Sequence, residues 1–192
     1  MYKSLKNALL LLIMLTVITG VFYPLVITGI AQLIFPRQAN GSLIVRDGQV
    51  VGSSLLAQNF TRPEYFHPRP SAAGQDGYDA AGSAATNLGP TSQKLMDSLK
   101  KTADDYRQEN NLSDEVVLPS DAVTSSGSGL DPEISLSNAY MQIARVAEAR
   151  GVSTDKIRNI VDEYADSSIL GIPGEERVNV LLLNLSLDDM NK

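Results

Sequence analysis

Apolar and polar positions are unevenly spread along this chain. From Ala8 to Phe35 no side chain is charged and most are apolar. As continuous helix that run reaches about 42 Å, at about 1.5 Å per residue, against a hydrocarbon core of about 30 Å. The pattern predicts one transmembrane helix over 8–35, with residues left for tilt or an interfacial turn. Tyr23-Pro24 interrupts it, and Gly20, Thr28 and Gly29 are small enough to let a neighbouring helix approach. A cleaved export signal competes, with Lys3 and Lys6 as its basic start. Against it, the run exceeds a signal core of about 7–15 residues, and Phe22-Tyr23 falls where cleavage would be expected. A retained anchor is expected.

Beyond the span the pattern becomes mixed. Ser42–Arg46 and Gln49–Gly52 flank Asp47-Gly48, which predicts a two-residue hairpin. Residues 57–91 are rich in Gly, Pro, Ser and Asn and predict a long irregular loop. So long a loop in a compact domain is usually functional or held against a partner. Leu95, Leu99, Thr102, Ala103 and Tyr106 then share one helical face. Val116–Leu118 and Ala122–Thr124 are short extended candidates around Pro119. A helix near Leu136–Arg150 should stop at Gly151, and Ser153 should cap another with Ile157, Ile160, Val161 and Tyr164 as its buried stripe. Val178–Leu183 is apolar on both alternations apart from Asn179 and predicts an internal strand. The expected fold is a single N-terminal transmembrane helix followed by one α/β (α+β) globular domain. Its parts are residues 1–7, the helix 8–35, and a domain over 36–192.

Charge orients the helix. Lys3 and Lys6 precede it while Arg37 and Arg46 follow, a small bias toward a cytoplasmic N-terminus and an extracytoplasmic domain. The net charge is −6, and setting aside the two N-terminal lysines makes the rest more negative still. That disfavours nucleic acid and anionic lipid surfaces as partners. The chain has no cysteine, which is compatible with export.

Catalytic motifs are sparse. His67 is the only histidine, so His/Cys metal clusters are excluded and no metal site is expected. The stiff setting Phe66-His67-Pro68-Arg69-Pro70 favours a structural role for His67 over a lone general base. Ser-x-x-Lys occurs twice, at Ser98–Lys101 and Ser153–Lys156, both on amphipathic helices, which reads as chance. The Gly-rich stretch 125–129 lacks the Gly-Lys-Ser/Thr of a phosphate-binding loop. Gln142 and Arg145 share one side of a helix, at the edge of the Ala139/Ile143/Val146 face. Such a pair can bond a ligand, a partner or nearby backbone, and backbone is the default.

Several loop motifs carry a family resemblance. Phe35-Pro36-Arg37-Gln38-Ala39-Asn40-Gly41-Ser42-Leu43, Gln58-Asn59-Phe60 and Tyr65-Phe66-His67-Pro68-Arg69-Pro70-Ser71 come first. Ser126-Gly127-Ser128-Gly129-Leu130-Asp131-Pro132-Glu133-Ile134, Gln142-Ile143-Ala144-Arg145-Val146-Ala147 and the stretch 178–185 follow in order. Together they resemble the C subunit of the Kdp-type potassium-transporting ATPase, over nearly the whole chain. The resemblance implies a non-catalytic, single-pass subunit of an ATP-driven K⁺ pump in a bacterial inner membrane. Its partners would be a K⁺-translocating A subunit, an ATP-hydrolysing B subunit, a small F subunit and membrane lipid. It would have no cofactor of its own. The family is described as a catalytic chaperone that raises the B subunit's ATP affinity in a ternary complex, which makes Gln142 and Arg145 nucleotide-binding candidates.

Phe35, Asn40, Asn59, Tyr65, Phe66, His67, Arg69, Ser128 and Asp131 are candidate partner contacts. An extracytoplasmic domain conflicts with direct ATP contact, since ATP is cytoplasmic. Where the family often carries Ser-Gly-Gly-Ser-Asn-Leu, this chain has Gly82-Ser83-Ala84-Ala85-Thr86-Asn87-Leu88. The lost glycine argues against close backbone approach at that loop. The alternatives to a pump subunit are a tethered extracytoplasmic enzyme using His67, or a one-span sensor.

Overall fold

Why the apolar run stays helical through Pro24 is a question of one carbonyl. The computed structural model describes residues 2–169 and 172–190. In it Tyr2–Ile34 is a single helix, long and apolar enough to cross a membrane. Proline lacks an N–H, and its ring clashes with the carbonyl four residues earlier, here that of Gly20. The helix answers with a widened π turn over Ile18–Phe22, between α1 (Tyr2–Val17) and α2 (Tyr23–Ile34). Such a turn moves the carbonyls upstream of Pro24 out of their α positions.

A short turn, α3 (Pro36–Ala39), leads into β1 (Leu43–Arg46) and β2 (Gln49–Ser53). Asp47 and Gly48 join these strands with φ of 51° and 78°, the pair of positive angles a type I′ hairpin turn requires. The expected hairpin is present, with a bulge between Ile44 and Val45. By its contacts the chain divides into two units, 1–53 and 54–192, so the hairpin groups with the apolar helix.

The second unit begins with 54–92, which carries no helix or strand, as composition suggested. Then come α4 (Gln93–Glu109), α5 (Ser120–Val123), β3 (Glu133–Ser135), α6 (Leu136–Arg150) and α7 (Thr154–Glu163). The chain continues through β4 (Ala165–Ile169), β5 (Ile172–Asn179) and α8 (Val180–Asp189). The strands form an antiparallel sheet in the order β3-β5-β4. Helices pack on it around Phe66, Ile134, Ile143, Val146, Ile157, Val161, Val178, Leu183 and Leu187. Gly151, with φ of 65°, ends α6, and the Ser153 side chain accepts from the Lys156 N–H to start α7.

Four local expectations fail. Val178–Leu183 is not one strand: β5 ends at Asn179, whose side chain accepts from the Leu182 N–H at 3.1 Å and caps α8. Val180, Leu183 and Leu187 then face the core at helical spacing. Apolar continuity alone does not separate a buried strand from a buried helix. Ala122–Thr124 is not extended either, because Ser120–Val123 forms one helical turn after Pro119. That turn is held by Asp121, whose carboxylate accepts from the Ser135 N–H and Oγ and from Asn138 Nδ2. Val116–Leu118 lies outside any strand.

The fourth concerns 82–88. Ala84 donates its N–H to the Ser128 carbonyl at 3.0 Å, so backbone does approach closely there. The glycine that permits it is on the facing loop. A Cβ on Gly129, at φ of 68°, would stand 2.5 Å from the Ala84 carbonyl oxygen and 2.8 Å from the Ala73 nitrogen.

Candidate functional site

A densely bonded feature of the second unit is the strap Pro63–Arg69, drawn across α6 and α8. An extended loop that enters a core must find partners for its own N–H and C=O groups. Here two side-chain amides supply them. Asn184 of α8 accepts from the Phe66 N–H at 2.8 Å and donates to the Phe66 carbonyl at 2.9 Å. Gln142 of α6 does the same for His67, at 2.8 and 3.1 Å. Two adjacent strap residues are thus read by two amides, as a neighbouring strand would read them. Between them the Phe66 ring is fully buried and is the bulkiest such side chain in the core.

Arg145, one turn along α6, completes the clamp. It is 6% exposed, and Gln142 is 1% exposed. Its Nη1 donates to the carbonyls of Pro63 and Tyr65 at 2.7 and 2.8 Å, its Nη2 to Gln142 Oε1 at 2.7 Å, and its Nε to Asn110 Oδ1 at 3.0 Å. Burial holds its pKa below the usual guanidinium value, opposed by the nearby Glu109 and Tyr106. Gln142 also donates to Asn138 Oδ1 at 3.0 Å, and Tyr106 Oη donates to the same oxygen at 2.7 Å. Burial raises the Tyr106 phenol above its ordinary range.

At the strap's N-terminal end, Arg150 donates from Nε to the Glu64 carbonyl and from Nη1 to the Leu187 carbonyl, and pairs with Asp188. Its guanidinium lies 5.1 Å from the Tyr65 ring centre, and Tyr65 Oη donates to Asp188 at 3.0 Å. Arg62 pairs with Glu64 at the surface. His67 sets Nδ1 2.8 Å from Glu109 Oε1 and Nε2 3.1 Å from the Arg62 carbonyl. Both ring nitrogens face acceptors. The hydrogen bond from His67 holds the Glu109 carboxyl below its ordinary value, against the burial that would raise it.

At the other end, Arg69 pairs with Asp131 at 2.9 Å. The Arg69 carbonyl accepts from Tyr78 Oη, and burial lifts that phenol to a pKa of about 12. Ser71 Oγ donates to the Gly129 carbonyl and accepts from the N–H groups of Ala73 and Tyr78. The partner-contact candidates therefore divide. Tyr65, Phe66, His67, Arg69 and Asp131 join Gln142 and Arg145 around one strap. Ser128 sits on the loop beside Ala84, and Asn59 is exposed upstream. Phe66 offers no side-chain surface to a partner in this fold. Phe35 and Asn40 belong to the first unit, where both are exposed and Asn40 exchanges amide hydrogen bonds with Gln32.

The strap is built from the same stretches that carried the resemblance, and comparison with known proteins gives the family. Residues 5–189 match the family model described as KdpC, the c chain of K⁺-transporting ATPase. The chain belongs to the KdpC family.

The potassium-transporting ATPase KdpC subunit of Mycobacterium tuberculosis (strain ATCC 25618 / H37Rv) is 53% identical over 188 residues, covering 98% of this chain and 99% of that one. The corresponding subunit of Rhodospirillum rubrum is 52% identical over 191 residues, covering 98% and 97%. That of Gemmatimonas aurantiaca is 49% identical over 191 residues, covering 100% and 95%. For a KdpC-family chain the strap partners Asn184, Arg150, Glu109 and Asp188, with Asn110, which accepts from Arg145, are the residues that spacing failed to single out. Asn184 left one trace, as a lone amide inside the apolar run 180–187. The others are ordinary polar residues on helices or, for Asn110, just past the end of α4, and only the fold brings them to the strap and its Arg145 clamp.

Proposed function

We propose that this chain is the non-catalytic, single-span subunit of a bacterial inner-membrane K⁺-transporting ATPase. In this proposal residues 1–7 are cytoplasmic and the second unit works outside. There it holds a rigid surface against the K⁺-translocating A subunit, within an assembly that includes the ATP-hydrolysing B subunit and the small F subunit. Family membership supports the subunit role. The observation that carries the mechanism is that Gln142 and Arg145 are buried, with their polar atoms engaged by the strap and by each other. A nucleotide bound through Gln142 would have to displace those bonds. Each buried group left unpaired costs about 1–3 kcal/mol. The flanking lysines favour an exterior unit, away from cytoplasmic ATP. We therefore assign the pair to scaffolding of the strap, and the chain's effect on ATP turnover to assembly.

The test is the pump purified with this chain deleted and with Gln142→Leu. Deletion should abolish K⁺-stimulated ATPase activity. Gln142→Leu should lower the yield of assembled pump and leave the KM for ATP unchanged in what assembles. A fully active pump without the chain would refute the subunit role. A raised KM for ATP in fully assembled Gln142→Leu pump would instead restore the ternary-complex mechanism, with ATP shared between Gln142, Arg145 and the B subunit.

A further inference from the structure

The hairpin β1–β2 carries an apolar face that the first unit leaves open. Val45 lies directly across from Val50, and Leu43 precedes Val45 by two residues on the same face. These side chains are 59%, 59% and 47% exposed, in that order. Arg46 and its cross-strand partner Gln49 point the other way. A single exposed valine means nothing, but a grouped apolar face on a two-stranded ribbon calls for a cover, since such ribbons are marginal in water.

Chain continuity identifies the cover. Gln32, in the last turn of the apolar helix, and Asn40 exchange amide hydrogen bonds of 3.2 and 3.0 Å. Asn40 Nδ2 also donates to the Pro36 carbonyl, and the Ser42 N–H donates to the Arg37 carbonyl. At the same open end of the hairpin Ser53, the cross-strand partner of Leu43, donates from Oγ to the Gly41 carbonyl at 2.7 Å. Both strands of the ribbon are therefore pinned, at its open end, to a turn that is itself pinned to the helix exit. Leu43 follows Asn40 by three residues, at most about 10 Å of chain. The interfacial layer on each side of a bilayer is about 6 Å deep, so a ribbon anchored there starts within or beside it. Leu33 and Phe35 continue the exposed apolar surface at the same end of the helix.

We infer that the Leu43/Val45/Val50 face lies in the lipid interface around the helix exit, at the boundary between headgroups and acyl chains. The contact is apolar and needs no anionic lipid, in keeping with the acidic balance of the chain. It rests on the helix spanning the membrane.

The chain has no tryptophan, so single substitutions report without background. Val50→Trp, Val45→Trp and Gln49→Trp would each be made in the full chain and reconstituted in phosphatidylcholine vesicles with and without acyl-brominated lipid. Trp at 50 and at 45 should be quenched at least about twofold more than Trp at 49, with blue-shifted emission, as for an apolar face at the acyl boundary. Equal quenching at 49 and 50, or none at 45 and 50, overturns the inference. In the assembled pump the quenching should persist; its loss there would mean that another subunit covers this face, which also overturns it. Phe22→Trp reports the span. If it too is unquenched, the spanning helix fails with the hairpin; if it is quenched and Trp at 50 is not, the hairpin inference alone falls.

Discussion

A carboxamide can satisfy one backbone N–H and one backbone C=O together, and Gln142 does this for His67 while also accepting from Arg145. Helical spacing places residues 142 and 145 on one side of α6. It does not say whether a ligand, a partner or the chain itself meets them, because His67 is 75 residues away in sequence. Leucine at 142 would leave the His67 amide groups and one Arg145 donor without partners. Gln142→Leu should therefore destabilise the second unit by about 2–3 kcal/mol, whereas exposed Asn59→Ala should stay within about 0.5 kcal/mol. Urea unfolding of the detergent-solubilised chain, followed by far-UV circular dichroism, reads both. Equal effects would show that the clamp contributes nothing special.

At the scale of elements, local signals served wherever a boundary is made locally. Gly151 ends α6, Ser153 starts α7, and Asp47-Gly48 turns the hairpin. They were ambiguous where burial decides: Val180–Asp189 is apolar enough for a strand, yet the Asn179 cap and the core's demand for Leu183 and Leu187 make it a helix. The join between α4 and the strap carries a pH dependence. The Glu109 carboxyl titrates below its ordinary value of 4.5, chiefly through its hydrogen bond from His67. A lowered folded-state value means the folded state binds a proton less readily than the unfolded one. That contribution is fully present above about pH 4.5 and is lost as pH falls through the lowered value. Glu109→Gln should remove it, so the stability gap between wild type and variant should close on acidification from pH 6 to about pH 3. A gap that widens toward acid pH would show that Glu109 does not contribute in this way.

For the whole molecule, the decisive property is which side of the bilayer the second unit occupies. The Lys3/Lys6 flank against Arg37/Arg46 is a small bias, so it is a matter for direct measurement. A reporter that is active only outside the cytoplasm, fused after Lys192, should be active in intact cells. An inactive reporter, with a cytoplasmic one active at the same position, would place the unit with ATP. That result would undo the exterior mechanism while leaving KdpC-family membership untouched.

Charge-free length, turn dipeptides, caps and helical stripes determined the long apolar helix, the hairpin, α4, α6 and α7, because each depends on neighbours within a few residues. The ordered loop motifs determined the family. Only the tertiary structure decided that 180–189 is helical, that Phe66 is core and that Gln142 and Asn184 bind backbone. It also decided that Gly129 rather than the 82–88 loop provides the close approach. All of these depend on groups that meet only after long loops have closed, and such meetings leave no periodic mark in the chain.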